Sequence, residues 1–258
     1  MTTAPSLLAV FAHPDDESLA CGGLLAWCAQ RGVRVSLLCL TRGEHGPGGP
    51  PDQLGEMRAR ELRDAVRVIG IHDATLLSHQ DGMLPWIAAS LIEADIRETI
   101  VRVAPNVVVT FDEDGLYGHP DHVAVHERTT AAVDGLGKGG PALFYASMPR
   151  GAMRALVDAA PRGHADPLGM VFGIDSDAFG AMAPPPTVVL DVRHVASTKL
   201  RALRCHRTQV AGTVVDSLRA DDAARVLGRE HYRRAAVGAA GLTFVDALAG
   251  DAPATEPR

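Results

Sequence analysis

Apolar residues along this chain fall into two alternating patterns: short unbroken runs, and longer stretches where they recur every three or four positions. Residues 7–11 and 33–40 are unbroken or nearly so, as in strands buried on both faces of a parallel sheet. Between them, residues 19–30 read as a helix with Gly32 as its stop signal. Strand, helix, strand is the unit from which parallel sheets are built. Residues 56–69 follow as an amphipathic helix, with Leu62, Ala65, Val66 and Ile69 on one face and Gly70 at its end. Residues 74–77 read as a short third strand, 87–103 as a second amphipathic helix stopped before Pro105, and 107–111 as a fourth strand. A helix over 123–133, a flexible break over 135–140 and a fifth strand over 143–147 complete this half. After Pro149 the pattern fades. Residues 150–185 have no assignable period, and only 188–192 (strand), 196–207 (helix) and 232–236 (late strand) stand out. The expected fold is α/β: a Rossmann-like, mostly parallel sheet flanked by helices, with the site at the C-terminal strand ends.

Composition narrows the class without changing this picture. A chain of 258 residues suffices for one α/β domain, with a core expected over about residues 6–210 and a disordered tail over 251–258. The formal net charge of −6, with no long basic block, argues against a nucleic-acid partner. The N-terminus has no signal-peptide pattern and no apolar run is long enough for a membrane span, so a cytoplasmic protein is expected. Cys21, Cys28, Cys39 and Cys205 form no C-x-x-C pair, and the first three read as small core residues. The glycine-rich stretch 41–55 matches neither the phosphate loop nor the dinucleotide fingerprint, which disfavours nucleotide binding.

The chemistry is concentrated at two strand ends. The first strand runs into Ala12-His13-Pro14-Asp15-Asp16-Glu17, and the fourth into Asp112-Glu113-Asp114 and then Gly118-His119-Pro120-Asp121-His122. In a parallel sheet the C-terminal strand ends share one edge, so these two loops can converge. His13, Asp16 and one or both of His119 and His122 then offer the nitrogen and oxygen mixture that suits zinc, with a coordination position left for water. Asp15, beside a ligand, is the expected base, and a histidine off the metal suits the oxyanion or the leaving group. The residues alone therefore point to metal-assisted hydrolysis. A bland reading stands beside this one: Asp15 or Asp16 as a helix cap, Glu17 as a residue satisfying the helix dipole, and Asp121 as a cap or the orienter of a histidine. His126 lacks the glutamate of an H-E-x-x-H motif and reads as a packing residue. His206 is balanced between core residue and site support, Glu44 and Asp112 read as orienting acids, and the histidines at 45, 72, 79, 164, 194 and 231 carry no expected role.

The two motifs together resemble the PIG-L/LmbE-like zinc de-N-acetylases. Thr41-Arg42-Gly43-Glu44, the R-x-x-E-L pattern of Arg58 to Leu62, and Lys199 with His206-Arg207-Thr208-Gln209 are similar to further pieces of that family. The resemblance covers about residues 6–210. It implies a metal on His13, Asp16 and His122 (zinc, with ferrous iron the alternative in the cell) and Asp15 as general base. It further implies His119 as oxyanion stabiliser or acid, Tyr117 as a mobile hydrogen-bond donor, and sugar contacts from Arg58 and Asp81. The implied activity is removal of an N-acetyl or other N-acyl group from an N-acetylglucosamine-type sugar or its conjugate, so the expected partner is a small amino-sugar molecule. Two rivals are an amidase of a glucosamine-linked thiol conjugate and a non-catalytic sugar-binding relative.

Overall fold

The computed structural model describes residues 4–159 and 170–250. His164 and the tail expected over 251–258 lie outside the described residues. The strands are β1 (Ser6–Phe11), β2 (Arg34–Thr41), β3 (Asp73–His79), β4 (Val107–Phe111), β5 (Ala142–Ser147), the two-residue β6 (Met170–Val171) and β7 (Ile174–Asp175), β8 (Val188–Asp191) and β9 (Arg229–Gly238). The main helices are α1 (Asp16–Gln30), α2 (Leu54–Ile69) and α3 (Ala89–Val103); a short turn α4 (Gly115–Gly118) precedes α5 (Pro120–Asp134). The remainder are α6 (Ala152–Asp158), α7 (Ala196–Leu203), α8 (Arg207–Val210), α9 (Val214–Ser217), α10 (Ala220–Val226) and α11 (Phe244–Gly250).

Seven strands form one sheet in the order β3-β2-β1-β4-β5-β9-β8. The first five are parallel, whereas β9 runs antiparallel to both β5 and β8. Every residue of β1, β4 and β5 is buried, so helices cover both faces there, as their unbroken apolar runs require. The chain builds outward from β1 to β3, then returns to add β4 and β5 on the other side. The strand order therefore reverses between β1 and β4, and a crevice at the carboxyl ends of those two strands is the expected ligand position in such a sheet.

Three local differences from the sequence pattern have physical causes. Helix α1 starts at Asp16 rather than near residue 19, because Pro14 ends β1 and Ser18 and Leu19 already donate to the Asp15 carbonyl. Second, α1 is two helices meeting at Cys21, whose φ of −145° is not helical, and the Glu230 carboxylate receives the freed amides of Gly23 and Leu24. Third, the helix expected over 196–207 stops at Leu203; the chain turns, and His206 stands at the N-terminus of α8 with φ −81° and ψ 60°. The stretch 150–185 holds α6 and the β6–β7 hairpin among its described residues, elements too short to leave a period.

Candidate active site

At the β1–β4 switch point His13, Asp16 and His122 meet. His122 lies on the first turn of α5, stacked flat on Phe111 at 4.0 Å between centroids. Its Nδ1 is 3.0 Å from the Gly115 carbonyl, so Nδ1 carries the hydrogen and Nε2 presents a lone pair. His13 Nε2 faces two carboxylates, Asp81 Oδ1 at 3.0 Å and Asp121 Oδ2 at 3.2 Å. That nitrogen therefore carries a hydrogen, and in the neutral ring Nδ1 is a lone pair. His13 Nδ1 and His122 Nε2 stand 3.2 Å apart, and the Asp16 carboxylate flanks both, with Oδ2 3.3 Å from His13 Nδ1 and Oδ1 3.3 Å from His122 Nε2.

Three electron-rich groups thus point at one another in a buried place. Such a cluster is repulsive unless a proton or a metal ion sits among them. Donors 2.0–2.1 Å from a tetrahedral metal are separated by about 3.3–3.4 Å, so the spacing fits a three-ligand site with one position left open. The local field agrees. Burial disfavours a charged His13, yet Asp121, Asp16 and Asp81 outweigh it and raise the proton affinity of the ring well above the usual histidine range. A field that retains a proton there also favours a metal ion. Burial, only partly opposed by Asp16, lowers His122 to about 3, so this ring is neutral. Burial acts against the Asp16 carboxylate, but His122 and His13 hold its pKa below the ordinary range.

Two other groupings share His13. His13, Asp81 and Asp121 lie within metal-ligand distance of one another, as do His13, His119 and His122. In the first, both carboxylates address the same His13 nitrogen, which makes them orienters of a ligand rather than ligands. Asp121 also receives the amides of Gly82 and Leu84, and so fixes the chain beyond β3 against His13. In the second, His119 Nδ1 accepts the Asp121 amide at 3.2 Å, which leaves the hydrogen of the neutral ring on Nε2. Burial and then His13 lower the His119 pKa, so this ring is a neutral donor.

Asp15 has φ +125°, a conformation that L residues rarely adopt. Burial raises its pKa to about 6, with Arg58 opposing and Asp16 adding to the shift. That value suits a base working near neutral pH. Tyr117 follows Leu116, another residue at positive φ (+67°), and its ring lies 5.3 Å from that of His122 and 4.7 Å from that of Phe179. Burial first, then Asp16 and Asp15, push the Tyr117 phenol up, which keeps it a donor.

Arg58 is buried and reaches from α2 to three oxygens: the Gly43 carbonyl at 3.0 Å, the Pro14 carbonyl at 2.7 Å and Asp15 Oδ2 at 3.3 Å. Its Nε finds no partner among the described residues. Asp81 accepts the His45 amide at 2.9 Å in addition to its contact with His13, and its own amide is held by Glu44 at 2.9 Å. Burial would raise the Asp81 pKa, but His13 lowers it to about 2. His45, given no role from the sequence, thus braces Asp81 with its amide, and its Nδ1 lies 2.8 Å from the Asp81 carbonyl. Its place in the glycine-rich stretch was its only available signal. His206 is fully buried against Glu17, 2.9 Å from Oε1, across 189 residues of sequence. Asp112 is fully buried and paired with Arg233 of β9. His126 is half-buried, with Nδ1 2.9 Å from the Phe111 carbonyl.

This fold and site define a Rossmann-like α/β protein with a candidate His/Asp metal site at the switch point. Residues 8–133 match the family described as PIG-L: GlcNAc-PI de-N-acetylase. The chain is 35% identical over 233 residues to a 1D-myo-inositol 2-acetamido-2-deoxy-alpha-D-glucopyranoside deacetylase of Acidothermus cellulolyticus, covering 80% of each chain. It belongs to the PIG-L family. Its fold is also that of an N,N'-diacetylchitobiose deacetylase from Pyrococcus horikoshii, with TM-score 0.61 and 19% identity over 90% of this chain and 84% of that one. The same fold occurs in GalB, a 4-carboxy-2-hydroxymuconate hydratase of Pseudomonas putida KT2440, with TM-score 0.62 and 18% identity over 89% of this chain and 95% of that one. The fold therefore does not by itself select the reaction. No helix among the described residues is long and apolar enough to cross a membrane.

Proposed function

We propose that this protein is a metal-dependent hydrolase that removes the N-acetyl group from an N-acetylglucosamine-type sugar conjugate. The observation that carries this reading is the convergence of His13 Nδ1 and His122 Nε2, 3.2 Å apart, on the two oxygens of the Asp16 carboxylate, each 3.3 Å from one ring, beside a base at about pKa 6. Zinc suits this donor set, and a bound divalent ion supplies a Lewis acid and makes water more acidic. Asp15 takes the proton from the attacking water. As the new C–O bond forms, the Nε2 hydrogen of His119 and the Tyr117 hydroxyl serve as donors to the developing oxyanion. Asp15 then returns its proton to the nitrogen as the C–N bond breaks, releasing acetate and the free amine. Arg58, and Asp81 through its remaining lone pairs, are assigned to the sugar side of the substrate. The free thiols of Cys21, Cys28, Cys39 and Cys205 accord with a reducing, cytoplasmic setting.

The test is amine release from a panel of N-acetylglucosamine conjugates, run on protein purified without chelator and assayed for metal. About one divalent ion per chain is expected, with activity lost on chelation and regained with zinc. Full activity in metal-free protein, or no amine from any conjugate by the metal-loaded protein, overturns the proposal.

A further inference from the structure

Asp15 sits at φ +125° and ψ −27°, outside the ordinary regions for a residue with a side chain. Such a conformation persists only where its surroundings impose it. Two buried groups do so. Glu17 Oε2 accepts the Asp15 amide at 3.1 Å, drawing the backbone N–H back toward the first turn of α1. Glu17 in turn is fixed through Oε1, which lies 2.9 Å from His206 Nε2 and accepts the Ser18 hydroxyl at 2.5 Å. Glu17 and His206 are 1% and 0% exposed, so this pair has no water to relax into. On the other side Arg58 grips the Pro14 carbonyl and the Asp15 carboxylate together.

The far end of the clamp is anchored as well. Thr208, two residues past His206, donates its amide to Glu61 Oε1 at 2.9 Å and its hydroxyl to Oε2 at 2.7 Å. Glu61 is one turn along α2 from Arg58, so a single helix carries both the residue that grips Asp15 and the residue that fixes the His206 segment. Gln209 holds the Pro47 carbonyl of the glycine-rich stretch at 2.9 Å.

We infer that Glu17 and His206 are positioning residues: the pair holds the Asp15 backbone in its unusual conformation so that the carboxylate stays aimed at the reacting water. Neither touches substrate in this assignment. It rests on the reading of Asp15 as the base, and the experiment separates the two.

Turnover (kcat and KM), metal content and thermal midpoint are measured on Asp15→Asn, Glu17→Ala, Glu17→Gln and the double variant Glu17→Leu/His206→Leu. The double variant removes both charges together, so no buried charge is left unpaired if the single alanine variant fails to fold. Asp15→Asn reports on the base alone; if it turns over like the wild type, the reading of Asp15 is wrong and the clamp has nothing to position. With Asp15→Asn inactive, Glu17→Ala and the double variant are expected to lose about 10²-fold in kcat, the scale of a small misplacement of a reacting group. Their KM and metal content should stay at wild-type values. Glu17→Gln keeps an acceptor for the Asp15 amide and should restore most of the rate. Wild-type kcat in the folded double variant, loss of metal in place of rate, or no rescue by glutamine each overturns the inference.

Discussion

Helix α1 touches two buried ionic clusters, and they are built on opposite plans. Around its kink, Glu230 is saturated: Oε1 accepts Lys199 Nζ at 2.5 Å and the Gly23 amide at 2.7 Å, and Oε2 accepts the Leu24 amide at 2.8 Å and the Tyr232 hydroxyl at 2.7 Å. One carboxylate meets four donors, and each charge has its opposite. At the helix start the arithmetic fails. The Asp16 carboxylate takes the His13 amide at 2.7 Å, but between the carboxylate and the two facing ring nitrogens the cluster has only what the His13 ring itself retains, a proton in the absence of a metal ion. Both clusters are almost fully buried, so burial does not separate them. Hydrogen-bond satisfaction does. The satisfied cluster completes the fold; the unsatisfied one keeps a place for a cation and for chemistry.

The comparison can be broken experimentally. The largest effect is expected from His13→Ala, which removes one of three ligands: metal content should fall to background and amine release with it, while the chain stays folded by circular dichroism. Retained stoichiometric metal would show that the cation site lies elsewhere. Glu230→Ala should do the reverse. It leaves Lys199 charged and buried and two helix amides unpaired, so denaturant unfolding should show a loss of about 3–5 kcal/mol, with metal still bound by the folded fraction. Gly23→Ala probes the same cluster sterically. A Cβ there would lie 2.7 Å from Val192 Cγ2 and 2.8 Å from Glu230 Oε1, so a loss of about 1–3 kcal/mol is expected despite alanine's better helix propensity. An unchanged midpoint would mean that β8 and β9 can move away from α1. The smallest effect is on thiol chemistry. Burial pushes the Cys28 thiol up to about 12 and raises Cys21 and Cys39 well above the usual range, whereas Cys205 is only half-buried. A thiol reagent should therefore label Cys205 alone in the native protein, and all four cysteines in denaturant.

The sequence reveals these two clusters unequally. The unsatisfied one is written in contiguous motifs, because each strand ends in its own candidate site residues: His13, Asp15 and Asp16 after β1, His119 and His122 after β4. The parallel sheet that brings them together is legible from the apolar runs of β1, β2, β4 and β5. Glu230 and Lys199 have no such signature. Their partners are backbone amides at a helix kink and a tyrosine on a strand whose residues are mostly half-buried, and neither leaves a spacing to read. Glu17 illustrates the same limit. Its position suggested a helix-start residue, and it does lie in the first turn, but its partner is far along the chain at His206. The region 150–185 carries no readable period because its described residues form one short helix and a hairpin of two-residue strands.

The position of β9 has a consequence for how the chain matures on the ribosome. It follows the other eight strands of the described residues in chain order, yet it lies inside the sheet between β5 and β8. β8 emerges with no sheet neighbour of its own and must wait for β9. Glu230, on β9, is also what closes the opened backbone of α1, made some two hundred residues earlier. A nascent chain released before β9 is complete would thus carry both metal-ligand loops, but on a helix with exposed amides and a sheet with an open edge at β5. Such an edge invites pairing with another chain. Contacts this distant in sequence form slowly. Residues Arg229–Gly238 should therefore matter more to the yield of folded protein than to its chemistry.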